Sequence, residues 1–237
     1  MSELFSIQLQ NRQQQGRDGV WLDLPTTTEQ VQAALRQIGI SSDNPQGLFI
    51  SGYFAEEEKR FAIPYNMVLA SNVDELNFLA SRLETLSTGE RAELNAALQA
   101  PQSELSSIGR ITDFPENVDY YVHLPDVHGP AQLGDYYLNR SGMVDMPEEW
   151  KGGIDTAQFG RYVAQQEQGA FTQYGYLVKS GDEWQKVHEG QPVPEEYRVL
   201  SFPAPEILRD AANIPPPVQP ETEPQKVIPI ILNGKDS

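Results

Sequence analysis

The chain has 237 residues, with 34 Asp+Glu against 17 Lys+Arg, a formal charge of −17, three His and no Cys. A chain this acidic lacks the basic stripe that displaces counterions from DNA or docks on anionic lipid, so neither nucleic acid nor membrane is expected as a direct partner. The missing Cys removes disulfides, thiolate metal sites and thiol nucleophiles, while 39% hydrophobic residues suffice for folded cores.

Residues 4 to 9 alternate apolar and polar and predict a strand, and Val20 to Leu24 predicts a second. Thr28 is placed to cap a helix running to Ile38, with Gly39 as its stop. Leu48 to Ala55 predicts a third strand, giving an N-terminal sheet-plus-helix unit over residues 1–65. Ser71 with Asp74 has capping-box spacing, and Val73, Leu76, Leu79, Leu83 and Leu86 recur at helical spacing as one buried stripe, with Asp74, Glu75 and Glu84 off it. Ser87 with Glu90 opens a second helix with Leu94, Ala97 and Leu98 inward, and the short connection implies an αα-hairpin in a central helical unit over 66–112.

A C-terminal α+β unit over 113–180 follows. Val118 to Leu124 predicts a strand, and Leu133, Tyr136 and Tyr137 mark a helix. Asp155 to Gln158 caps another, with Phe159, Tyr162 and Val163 inward, and Phe171 to Val178 closes the unit as a strand. Trp184 to Val187 and Tyr197 to Phe202 are expected as short strands of an extension over 181–202. Eight prolines from Pro203 onward predict a Pro-rich tail over 203–237, containing the apolar run Val227 to Leu232.

Chemistry is sparse. His123, Asp126 and His128 sit at a strand end and a turn without further ligands, so no metal is expected, and no nucleophile elbow or phosphate loop is present. No cofactor and no enzymatic activity are expected. Met1 to Leu4 lacks a basic segment followed by an apolar one, no run is long enough to span a bilayer, and a cytoplasmic location is the expectation. Glu56 to Arg60 has the composition of a solvated loop.

The acids themselves carry the functional signal. From Glu56 to Glu167 there are 19 acidic and 8 basic residues, dispersed over expected folded elements rather than gathered in a tail. Carboxylates three or four positions apart on a helix have Cβ atoms about 5–6 Å apart, and duplex DNA shows one phosphate per ~3.4 Å of each strand. A fixed row of carboxylates therefore approximates a row of phosphates without a base code. The candidates are Asp74, Glu75, Glu84, Glu90, Glu93, Asp113, Glu116, Asp119, Asp126, Asp135, Asp145, Glu148, Glu149 and Asp155.

Three stretches carry a family resemblance: Leu133 to Leu138 (LGDYYL), Met143 to Trp150 (MVDMPEEW) and Ile154 to Arg161 (IDTAQFGR). They resemble the signature of the ArdA antirestriction family. Phe171 to Tyr176 looks like that family's closing strand, Asn72 to Leu94 resembles its central helical region, and Gly19 to Pro25 is compatible with its N-terminal sheet. The likeness covers roughly residues 3–178. It implies an elongated α+β protein of three small domains, a homodimer that mimics DNA, carried on plasmids and conjugative transposons. The implied partner is the methyltransferase core of a type I restriction–modification enzyme, with Asp135 to Arg161 in the motif region tied to dimerisation. Tyr136, Tyr137 and Met146 are the dimer-interface candidates on that footing. Asn139 and Arg140 stand where the family often has acids, Tyr162 where an Asp is common and Gly152–Gly153 where an aromatic is common, which thins the charge locally. The alternative reading is an acidic adaptor that binds another basic DNA-associated protein through its C-terminal segment.

Overall fold

The computed structural model describes residues 4–14, 18–41, 46–56, 61–101 and 103–200. These build a mixed α+β chain with two antiparallel three-stranded sheets. In the first sheet, β1 (Phe5–Asn11) lies between β2 (Val20–Leu24) and β3 (Leu48–Phe54). The period of two turns Phe5, Ile7 and Leu9 into the core and Ser6, Gln8 and Gln10 away from it. A bulge sets Gln8 opposite Gly52 but Leu9 opposite Ile50, leaving Ser51 as the extra residue.

Helix α1 (Thr28–Gln37) starts one residue earlier than expected. Thr27 is the cap and exchanges hydrogen bonds with Gln30, while Val31, Ala34 and Leu35 pack inward. After α2 (Tyr65–Leu69), α3 (Val73–Glu84) is likewise capped one position along, by Asn72 with Glu75 rather than Ser71 with Asp74. The expected stripe of Val73, Leu76, Leu79, Leu83 and Leu86 is buried throughout. Ser87 and Glu90 form the expected box on α4 (Thr88–Gln99). The main helical neighbour of α3 is α5 (Ile108–Thr112), not α4, so the expected hairpin is not the dominant packing.

The second sheet has the order β4 (Tyr121–Leu124), β6 (Gly175–Lys179), β5 (Ala170–Thr172). The single closing strand expected over 171–178 is thus a hairpin, turning at Gln173 and Tyr174. Between β4 and β5 lie α6 (Pro130–Asp135), which runs into a π turn at Tyr136–Arg140, then α7 (Glu148–Lys151) and α8 (Thr156–Glu167). Helices α6 and α8 meet at Gly134 and Gly160, where a Cβ on either would run into the backbone of Thr156 or Pro130. The inward face of α8 therefore centres on Gly160 and Ala164, and Tyr162, expected inside, is 60% exposed.

One hydrophobic cluster joins the first sheet, α1, α3, α4 and α5 to Tyr121 of β4 and Leu177 of β6. A second, smaller one gathers Val127, Leu133, Ala164 and Tyr176, with Tyr136, Tyr137, Val163 and Phe171 at its margin.

Residues 180–200 do not form the two short strands expected, and Ser201 and Phe202 of the second lie outside the described residues. The described stretch is an irregular strap with one 3-10 turn at Glu195–Tyr197. Side chains from the body satisfy its backbone, as a sheet neighbour would. Asn117 accepts from Gln185 N (2.7 Å) and donates to Gln185 O (3.0 Å), Asp113 accepts from His188 and Glu189, Asn77 donates to Tyr197 O (2.9 Å), and Asp74 accepts from Val199 and Leu200. Val199 is buried in the main cluster, and Trp184 packs edge-on against Tyr120 at 5.1 Å. The expected loop at Glu56 to Arg60, beyond Glu56, and the expected Pro-rich tail lie outside the described residues.

Candidate functional site: the carboxylate surface

The fourteen candidate acids divide by what the fold does with them. Asp113 is fully buried; its Oδ1 accepts from His188 N at 2.6 Å and its Oδ2 from Glu189 N at 3.2 Å. Asp74 is half-buried, and its Oδ1 accepts from Val199 N (2.7 Å) and Leu200 N (2.9 Å). These two hold the strap, and Asp113 has no surface from which to present a charge. That placement removes it from the surface set. Sequence spacing could not show this, because the partners are 75 or more positions away.

A second group caps helices. Glu75 accepts from Asn72 N (3.2 Å), and Glu90 accepts from Ser87 N (2.6 Å), whose side chain and backbone together hold the Glu90 carboxyl below its ordinary range. Exposed Asp155 accepts from Ala157 N (2.9 Å) and Gln158 N (3.0 Å) at the start of α8. Such caps fix the direction in which the carboxyl points.

Glu93, half-buried on α4, behaves differently. Burial first, and then the charges of Glu90 and Asp119, push its pKa up to about 8. Its Oε1 is buried and makes no hydrogen bond. The fold thus brings Glu90, Glu93 and Asp119 together, but Glu93 is largely neutral at pH 7. It is a weak phosphate analogue at that pH.

Several acids are paired with cations. Glu116 pairs with Arg82, Glu148 with Lys151 (2.6 Å) and Asp135 with Arg140 (2.6 Å). Hydrogen bonds from Asn139 and Arg140 hold the Asp135 carboxyl low. Glu84 is half-buried on α3. Asp119, Asp126, Asp145 and Glu149 are exposed on turns, loops and α7 with no salt bridge among the described residues.

Of the dimer candidates, Tyr137 is half-buried and its hydroxyl donates to Glu167 Oε1 at 2.5 Å, while Tyr176 donates to Glu167 Oε2 at 3.0 Å. Burial and the Glu167 charge push both phenols up from their ordinary value. Tyr136 is half-buried with its ring 5.4 Å from that of Tyr137, and Met146 is half-buried. The exposed apolar residues of this region are Met143, Trp150 and Tyr162.

The sequence reading passed over two sets. Glu104 is a hub that takes Arg110 (2.5 Å), Lys179 (2.8 Å) and the Tyr120 hydroxyl (3.2 Å), and Lys179 leads in holding its carboxyl low. The strap carries exposed Asp182, Glu183, Glu195 and Glu196. The sequence had signalled these only as composition in a stretch beyond the family likeness.

His123 Nε2 lies 2.7 Å from Tyr174 O, and no group of three metal-binding side chains gathers among the described residues. No helix among them is long and apolar enough to cross a membrane.

No curated protein matches the chain. A family described as "Antirestriction protein (ArdA)" matches residues 15–178, which takes in the outer strands β2 and β3 of the first sheet but not β1, the second sheet as far as Val178, the central helices, the α6–α8 pair and most of the carboxylates placed above. With well over half its length matched, the chain belongs to the ArdA antirestriction family, a family of inhibitor proteins rather than enzymes.

Proposed function

We propose that the chain inhibits type I restriction–modification enzymes by occupying their DNA-binding groove with its own carboxylates. Family membership over residues 15–178 carries the reading. The charge of −17 supports it, as do the exposed acids Asp119, Asp126, Asp145, Glu149 and Asp155 and the cap geometry that aims the last of them. A groove built to read DNA backbone is lined with Lys and Arg, and an opposite field speeds encounter and sets register. The homodimer and the division into units near residues 65, 112 and 180 belong to the same reading.

A type I methyltransferase loaded with labelled duplex DNA is the test. The purified protein displaces the DNA at low salt, and displacement weakens as salt rises. Failure to displace DNA from any type I methyltransferase at low salt overturns the reading.

A further inference from the structure

The first sheet covers its core on one face and leaves the other open. On the open face Trp21 is 50% exposed and Phe54 58% exposed. They come from the two outer strands and meet edge-to-face at 6.4 Å across β1. Gly52 makes this possible: it lies across from Gln8, and a Cβ there would stand 3.0 Å from the Trp21 ring edge. Asp23 is exposed on the same face, two residues along from Trp21, with its Oδ1 held by the Ser6 hydroxyl at 2.6 Å. Ser6 pairs with Asp23 on one side and Phe54 on the other, so two rings and a carboxylate converge on one spot.

At the far end of the same face, the chain's own Arg12 guanidinium sits 5.3 Å from the Phe49 ring centre. Phe49 pairs with Gln10, which points to this face. Among the described residues no cation lies over Trp21 or Phe54. On this face, the rings that lack one among the described residues are those beside the carboxylate.

We propose that this open face is a docking site for an arginine side chain on a basic partner protein, with the guanidinium over Trp21 and Phe54 and its N–H groups on Asp23. Arginine suits it better than lysine, because the guanidinium is planar, weakly hydrated and able to stack while donating hydrogen bonds. The field of a chain at −17 draws such a group in and repels a nucleic-acid phosphate. The proposal rests on the proposed function only in taking the partner to be basic.

The three indoles of the full chain, Trp21, Trp150 and Trp184, give separate N–H signals by NMR and allow a local test. Titration with an end-blocked tetra-arginine peptide shifts Trp21 saturably and more than the other two, and tetra-lysine does so less. Asp23→Asn and Phe54→Ala alter exposed side chains and keep the reporter; each weakens the Trp21 titration by about threefold to tenfold. The proposal is overturned if Trp21 moves no more than Trp150 and Trp184, or if both variants titrate like the parent. It is also overturned if a tetrathymidylate moves Trp21 instead, which assigns the face to bases, or if dilution alone moves it, which assigns it to a second copy. No restriction enzyme enters the titration, so its failure and failure of the antirestriction reading are told apart.

Discussion

At the scale of single residues, the same side-chain type does opposite jobs according to where its oxygens point. Glu93 keeps its proton in the folded chain up to about pH 8 and releases it near pH ~4.3 when unfolded. Between those values the folded state binds the extra proton, so stability falls as pH rises through that window. Glu93→Gln is expected to flatten this fall, narrowing the difference in Tm between pH 5 and pH 8.5 relative to the parent; identical slopes would refute the assignment. Asp113 works as an acceptor, because both its oxygens take backbone N–H groups of the strap. Asp113→Ala leaves those donors unpaired and should lower stability by about 1–3 kcal/mol, measured by urea unfolding. Nothing in the spacing of acids along the chain separates these two from Asp126 or Asp145, which are simply exposed. The distinction depends on partners distant in sequence, which a one-dimensional pattern does not encode.

At the scale of elements, close packing of α6 and α8 rests on two glycines. Gly160→Ala drives a methyl into the carbonyl of Pro130, and the overpacking should cost about 1–3 kcal/mol by thermal or urea unfolding. Gly89→Ala on α4 meets open space and should instead stabilise by about 0.5 kcal/mol through helix propensity. The glycine pair also explains the misread face of α8. A hydrophobic stripe read from sequence weights Phe159, Tyr162 and Val163, whereas the partner helix approaches where side chains are smallest, at Gly160 and Ala164. The elements that were legible are those whose pattern is local. Alternation located β1, the stretches Val20 to Leu24 and Leu48 to Ala55 located β2 and β3, helical spacing located α3, and Ser87 with Glu90 located the start of α4. Caps moved by one residue where two neighbours were both competent, as at Ser71 and Asn72. The strap was misread as strands because extended apolar residues such as Trp184 and Val199 look the same whether a strand or a set of Asn and Asp side chains completes their hydrogen bonds.

At the scale of the whole molecule, function is expected to be spread out. An exposed ion pair contributes roughly 0.2–1 kcal/mol, so reversal of any one of Asp119, Asp126, Asp145 or Glu149 to Lys should weaken inhibition of a type I methyltransferase only about twofold or threefold. All four reversed together should weaken it more than about tenfold and reduce its salt dependence, read as DNA displacement over a salt series. A single reversal that abolished inhibition would point instead to one dominant contact. Antirestriction character was legible in the sequence through the LGDYYL, MVDMPEEW and IDTAQFGR stretches, and the family match over residues 15–178 agrees. The docked strap, by contrast, begins just past the end of that match. Asn77 holds Thr26 N at 2.7 Å with its oxygen and Tyr197 O at 2.9 Å with its nitrogen, so one amide ties the connection between β2 and α1 to residues beyond the family boundary. A gene fragment trimmed to residue 178 would therefore be a damaged protein rather than a minimal one. It would strip Asp74, Asn77, Asp113 and Asn117 of the strap backbone groups they bind and uncover the seat of Val199, and its soluble yield should drop unless translation continues through Leu200.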